Sequence, residues 1–195
     1  MKTIEISQKL RKELEKQLKP DRFDHTLGVA YTASSMAMLY GADVQKALIA
    51  GMLHDCAKCM SHEEQVKICE KNKIDISEVE RRNHSLLHAK VGMYLARTKY
   101  DIYDTEILNA IRWHTTGREN MSLLEKIVYI ADFIEPNRKA LDDMDIIRKE
   151  AFTDLDLCLA HILHNSVIYL KTIGKECDEA TMDAYNYYKN FYKFT

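Results

Sequence analysis

The stretch Ala47-Leu48-Ile49-Ala50-Gly51-Met52-Leu53-His54-Asp55 decides how the chain reads. Its apolar part is far short of the roughly 20 residues that a membrane span needs. It is long enough for about two turns of a buried helix. The run ends on an imidazole and a carboxylate. A protein interior accepts such groups only when they are paired or hold a cation.

Helical spacing extends outward from that run in both directions. Ile6, Leu10, Leu14 and Leu18 recur every four residues and share one helix face. Pro20 breaks that pattern. Asp21 is expected to cap a second helix over residues 21–40, and Gly41 fits its stop. Asp43 opens a third helix. Ser61-His62-Glu63-Glu64 has capping-box spacing and predicts a helix start. Residues 72–77 are polar and read as a turn. Helical patterns resume over residues 86–98, 105–114, 122–134, 143–152, 154–173 and 181–191, with Gly174 closing the longest.

No run alternates as a strand would between turn signals. Six glycines and two prolines are too few for a turn-rich sandwich or barrel. The expectation is an all-α helical bundle forming one domain over residues 1–195. A motif-bearing core spans about 18–140, with helices of 141–195 packed on it.

Charge and cysteines narrow the function classes. Lys and Arg number 28 against 30 Asp and Glu, a net charge of −2, which speaks against a protein that coats nucleic acid. A small phosphorylated ligand stays compatible, since it needs only a local cationic pocket. The amino terminus, Met1-Lys2-Thr3-Ile4-Glu5-Ile6, brings charge in before an apolar run forms, so no signal peptide is read there. The five cysteines are odd in number and read as reduced thiols. Cytoplasm and no membrane partner are expected. A homodimer is compatible with the sequence, as with many soluble enzymes.

The residues that carry chemistry sit at the edges of apolar helical runs. Asp132 is embedded in Ile127-Val128-Tyr129-Ile130-Ala131-Asp132-Phe133-Ile134, where a bare carboxylate would be heavily desolvated. His54 and Asp55 diverge by about 100° if helical, so they cannot enclose a metal alone. With His25 and Asp132 they would supply two imidazoles and two carboxylates. That set suits iron, manganese or another transition metal in an octahedral site better than a closed structural zinc. Any one of these residues alone is better read as a satisfied core or boundary group. The ordered combination is much harder to explain as packing.

Five segments together carry a family resemblance. They are Arg22-Phe23-Asp24-His25-Thr26-Leu27-Gly28-Val29, Leu53-His54-Asp55-Cys56-Ala57-Lys58, Leu86-Leu87-His88-Ala89, His114-Thr115-Thr116-Gly117, and Ile130-Ala131-Asp132-Phe133-Ile134-Glu135-Pro136-Asn137-Arg138. The chain resembles the HD-domain metal-dependent phosphohydrolases. More narrowly, it resembles the bacterial YqeK family of symmetrical dinucleoside tetraphosphate hydrolases, over residues 18–186. The resemblance implies an HD-domain fold and an iron centre, ferrous or ferric, on His25, His54, Asp55 and Asp132. One ion is favoured, and manganese or another divalent metal is able to substitute. It also implies hydrolysis of diadenosine tetraphosphate and related dinucleoside polyphosphates at the middle, giving two ADP.

The remaining motif residues fit that chemistry. A bound metal acidifies its water and supplies the nucleophile near neutral pH. Asp55 or Asp132 would orient that water. Lys58 lies three residues after Asp55 and, on a continuing helix, shares its face. Arg22 stands in the same relation to His25, and Arg138 follows Asp132 through a loop. These three read as phosphate clamps. His88 and His114 are open to phosphate contact, protonation of the leaving ADP, or ligation of a second metal; the resemblance favours the first two. Thr115 and Gly117 suit close approach of backbone to phosphate.

Cys56-Ala57-Lys58-Cys59 has redox-motif spacing but lacks the βαβ setting, so packing is the better reading. Trp113 and the tail aromatics Tyr185, Tyr187, Tyr188, Phe191 and Tyr192 read as packing at least as well as base contacts. His62, His161 and His164 lie outside the motifs. The alternatives are a hydrolase of another nucleotide phosphoester, or a nucleotide-binding regulator without turnover.

Overall fold

The structure, a computed structural model, describes residues 2–138 and 142–191. The helices are α1 (Lys2–Gln17), α2 (Pro20–Tyr40), α3 (Val44–Leu53), α4 (His62–Lys71), α5 (Glu78–Arg82), α6 (His88–Thr98), α7 (Thr105–Trp113), α8 (Leu123–Ile134), α9 (Met144–Glu150), α10 (Leu155–Thr172) and α11 (Glu179–Tyr188). A 3-10 turn, Lys189–Phe191, follows α11. There is no strand among the described residues. No helix of the described residues is long and apolar enough to cross a membrane.

Local chemistry sets the helix starts. Ser61, Ser77 and Ser122 each form a reciprocal capping box with a glutamate three residues on, opening α4, α5 and α8. Asp43, Asp104, Asp154 and Asp178 cap α3, α7, α10 and α11 by accepting first-turn N–H groups. Asp21 does not play that part at α2. Lys19 is the cap residue and makes no side-chain bond there. Pro20 takes the first helical position, where its missing N–H costs no hydrogen bond and its fixed φ suits the helix. Asp21 lies inside the first turn, favourable to the helix dipole. Gly41 closes α2 in the left-handed region, as expected.

The core is built on α2, α3 and α8. Leu10, Leu14 and Leu18 of the amino-terminal stripe are buried; the side chain of Ile6 lies outside the described residues. Helix α2 packs against both α3 and α8, and α7 packs against α3, α6 and α8. Gly51 allows a close crossing, because a Cβ there would lie 2.7 Å from the Ala30 Cα of α2. This contact brings the carboxyl end of α3 beside the second turn of α2. Helix α8 buries Leu124, Ile127, Val128, Ile130, Ala131 and Ile134, leaving Asp132 and Phe133 partly open at its carboxyl end. Each fully buried Leu or Ile of this core is worth about 1.5–3 kcal/mol over exposure.

Candidate metal centre

Three helices present their carboxyl ends to one point. His54 is the C-cap of α3, His114 is the C-cap of α7, and Asp132 lies in the last turn of α8. Helix carboxyl ends carry partial negative charge and favour cations. His25, from α2, and His88, the first residue of α6, complete the cluster. His25, His54, Asp55, His88 and His114 are all buried, and Asp132 keeps 19% of its side chain accessible.

The donor atoms converge. Nε2 of His25 lies 3.0 Å from Oδ1 of Asp132 and 3.3 Å from Nε2 of His54. Oδ2 of Asp55 lies 3.5 Å from Nε2 of His54 and 3.9 Å from Nε2 of His25. The other oxygen, Oδ1, faces away to Nε2 of His88 at 3.1 Å and of His114 at 3.6 Å. Asp55 therefore meets imidazoles through both of its oxygens, and the His54 and His114 rings themselves lie 5.0 Å apart, edge to face. Three sets can place one ligand atom each within 4.8 Å of one another: His25, His54 and Asp55; His54, His114 and Asp132; and Asp55, His88 and His114.

Hydrogen bonds fix which ring nitrogens are free. Nδ1–H of His54 donates to the carbonyl of Gly51 at 2.7 Å, and Nδ1–H of His114 donates to the carbonyl of Ile111 at 2.7 Å. Both carbonyls belong to last helical turns, which lack intrahelical donors. Nδ1–H of His25 donates to Oε1 of the buried Glu135 at 3.0 Å. With Nδ1 protonated, a neutral ring presents its Nε2 lone pair. Nε2 of His25 thus meets Nε2 of His54 lone pair to lone pair, an arrangement that a proton or cation between them relieves. Metal-binding histidines are held by the same kind of outer hydrogen bond. Two imidazoles and two carboxylates form a borderline-to-hard donor set that suits a divalent transition metal.

The charges agree. Burial opposes ionisation of Asp132, but the His25 hydrogen bond and the charges of His54 and Arg138 outweigh it and hold the carboxyl well below its usual range. Burial likewise opposes the Asp55 charge, and His54, His114 and His88 overcome it. Burial lowers the proton affinity of His25, yet Asp132 and Glu135 reverse this and leave it raised. Burial dominates at His88, whose pKa falls to about 4 despite its bond to Asp55.

The three expected phosphate clamps surround the centre. Arg22 donates to Oδ2 of Asp55 at 2.8 Å. Arg138 donates through Nη2 to Oδ1 of Asp132 at 2.9 Å and through Nε to its carbonyl at 2.8 Å. Lys58 arrives by a different route from the one expected. Helix α3 stops at Leu53, and the chain continues through tight turns closed by Cys56 N–H to Leu53 and Lys58 N–H to Asp55. Lys58 is still half-buried among the site charges; burial, with Arg22 and Arg138, pulls its ammonium below the ordinary range, against Asp55 and Asp132.

Thr115 places its hydroxyl 3.2 Å from Nε2 of His88 and 3.0 Å from Nε2 of His114. Gly117 takes a left-handed backbone conformation, φ +68°, that side chains rarely adopt. A Cβ there would also press on Ala184 at 3.3 Å. Cys56 is buried with its thiol toward the carbonyl of Gly92, and Arg112 covers the Trp113 ring at 4.1 Å. Tyr188 is buried and accepts a bond from Met121 N–H, as packing of the tail predicts.

Glu135 is the site residue that sequence reasoning left without a role. It binds His25 and also accepts from Asn137 N–H at 2.8 Å. Gly28 makes room for it, because a Cβ at that position would lie 2.4 Å from Oε2 of Glu135. The available signal was an acid beside Pro136 at the end of an apolar helix.

Two cavities reach the centre from different sides. One, of about 930 Å³, meets it at His25 and is walled by Lys19, Arg22, Phe133, Arg138 and Met144. The other, of about 320 Å³, meets it at Thr115 and is lined by Tyr129, Ser166, Tyr169 and Thr181.

Residues 22–137 match the HD domain family model. The chain is 40% identical over 174 residues to a symmetrical bis(5'-nucleosyl)-tetraphosphatase of Bacillus subtilis (strain 168), covering 89% of this chain and 92% of that protein. It is 41% identical over 165 residues to a protein of the same name from Halalkalibacterium halodurans, covering 85% and 87%. The chain belongs to the HD-domain family, in the branch of the symmetrical bis(5'-nucleosyl)-tetraphosphatases. A crystal structure of a predicted HD superfamily hydrolase involved in NAD metabolism from Clostridium acetobutylicum has the same fold. Its TM-score is 0.90 at 40% identity, over 94% of this chain and 96% of that one. The five motif segments of this HD-domain protein meet at one His/Asp cluster, with His25 and His54 near one oxygen of Asp55, His88 at the other, and His114 within reach of both sides.

Proposed function

We propose that the protein hydrolyses diadenosine tetraphosphate and related dinucleoside polyphosphates at the middle of the chain, giving two nucleoside diphosphates, with iron held by His25, His54, Asp55 and Asp132. The observation that carries this reading is the 3.3 Å approach of two Nε2 atoms whose rings are both fixed through Nδ1. The relatives' shared name supplies the substrate class. We place the protein in the cytoplasm, where its five free thiols stay reduced. When bound, the ion supplies an activated water at neutral pH and polarises a phosphate oxygen.

The protein's own groups supply the rest. Arg22 and Arg138 each have N–H donors beyond those on their carboxylates, and with Lys58 they hold anionic oxygens in line for attack. Asp55 and Asp132 accept hydrogen bonds from the attacking water and orient it. Its oxygen bonds to one central phosphorus as the bridging P–O bond breaks. The electron pair leaves on the departing diphosphate, near His88, His114 and Thr115. His88 starts neutral, and the negative charge of substrate beside it draws its proton affinity up toward that of a useful acid.

A second reading exists for His88 and His114. Oδ1 of Asp55 faces both, and their Nε2 atoms lie 3.1 Å apart, so a second ion sharing Asp55 would fit the donor set. Metal analysis decides between one and two ions per chain.

The test is anaerobic incubation of iron-loaded protein with diadenosine tetraphosphate and separation of the nucleotides by anion exchange. ADP alone, lost in Asp55→Ala, is expected. ATP plus AMP would refute the cleavage position. No turnover with metal bound would refute the substrate.

A further inference from the structure

A substrate with a nucleoside at each end needs two places to put them, and the relatives' name says nothing of where the second goes. We propose that the groove walled by Lys19, Arg22, Phe133, Arg138 and Met144 is the subsite of the second nucleoside diphosphate, the one farther from His88 and His114. This assignment rests on the proposed hydrolysis. The groove's volume of about 930 Å³ falls within the roughly 300–1,000 Å³ of small-molecule sites.

Its chemistry is graded in the order that half of the substrate requires. At the inner end Arg22 and Arg138 each touch a carboxylate of the centre, so phosphates entering there stay under guanidinium control. Lys19, exposed at the start of α2, adds a third cation farther out. Phe133 follows Asp132 directly on α8 and is half-buried, and Met144 is buried behind the same groove. Phe133 offers an aromatic face on which any base can lie.

Asp21 and Asp24 stand exposed on the rim. Repulsive to a phosphate, they suit the 2'- and 3'-hydroxyls of a ribose, which donate to carboxylates. The groove shares no lining residue with the cavity at Thr115, so the two halves do not compete for space. That second cavity is smaller, about 320 Å³, and is lined by the polar side chains of Tyr129, Ser166 and Thr181. It takes the half that a mononucleoside compound would also use.

The experiment compares two ligands on the manganese-loaded protein. Diadenosine tetraphosphate has both nucleosides, and adenosine 5'-tetraphosphate has the same phosphates with one. Phe133→Leu keeps apolar volume and removes the aromatic face. It is expected to raise KM for diadenosine tetraphosphate about tenfold, the scale of one lost base–aromatic stack. The inhibition constant of adenosine tetraphosphate should not move. Lys19→Glu, on an exposed residue where folding is not at risk, should shift the same ligand in the same direction. An equal loss for both ligands in either variant would overturn the subsite. So would wild-type protein that binds the two ligands equally well. Absence of turnover by metal-loaded wild type would instead refute the hydrolysis reading and take this assignment with it.

Discussion

Around Oδ2 of Asp55, His25 and His54 each spend Nδ1 on a fixed acceptor, and a second carboxylate, Asp132, closes the group. Around Oδ1, only His114 is fixed in that way. Nδ1 of His88 is buried with no hydrogen-bond partner among the described residues, and burial pushes that ring down to about 4. The first half is built to hold a cation without rearranging. The second contains a ring whose proton and partner are free to change when an anion arrives. On the proposed reaction, this difference suits His25, His54 and Asp132 to holding the ion and His88 to carrying the proton.

Removing the shared carboxylate should have the largest effect. Asp55→Ala is expected to cut turnover by on the order of 10³-fold or more, since both halves lose their common partner. Steady-state rates and metal content measured together check it, with circular dichroism confirming the fold. Next come single histidines, where the halves should separate. His54→Ala should lose the metal. His88→Ala should keep it and lower kcat by about 10²–10⁴-fold, the range for a general acid. Equal metal loss in the two variants would break the distinction and favour a second ion on His88 and His114.

Glu135 tests whether the presetting itself matters. Glu135→Gln keeps the shape but weakens the hold on His25. A drop of about 10–100-fold in metal affinity is expected, as for other outer partners of ligand histidines. Gly28→Ala approaches the same bond from the opposite helix. In a helix interior, alanine for glycine would ordinarily stabilise by roughly 0.5–1 kcal/mol. Here the added Cβ falls 2.4 Å from Glu135, so Tm and metal affinity should both drop. A stabilised Gly28→Ala with full affinity would show that Glu135 has room to move.

Legibility in the sequence followed the same division. His25, His54, Asp55 and Asp132 could be read because each sits at the edge of an apolar helical run, where a polar group needs a reason. Helix α5 was missed because five residues are too short to show a period, although Ser77 and Glu80 already had the capping-box spacing. The placing of Lys58 followed another route than its spacing suggests: the helix ends at Leu53, and turns rather than helical geometry keep the lysine near Asp55. The link from Glu135 to His25 could not be read at all. It depends on a space left by Gly28 on another helix, and such a long-range fit leaves no local pattern.

The smallest expected effect is a count of protons. Without a cation, Asp132 and Glu135 outweigh burial at His25 and raise its proton affinity above that of an ordinary imidazole. This contribution to stability is present below the unfolded imidazole pKa of about 6.5 and is lost as pH rises through the higher folded value. A metal ion taking Nε2 must displace that proton, so metal affinity should fall as pH is lowered. His88 contributes little, being neutral already near pH 7. Titration calorimetry with manganese, in buffers of different ionisation enthalpy between about pH 6 and pH 8, reads the protons released. Release should be greater at the acid end than at the alkaline end, and that dependence on pH should disappear in His25→Ala. Release that survives His25→Ala but vanishes in His88→Ala would move the titrating ring to the other side of Asp55, reversing the two halves.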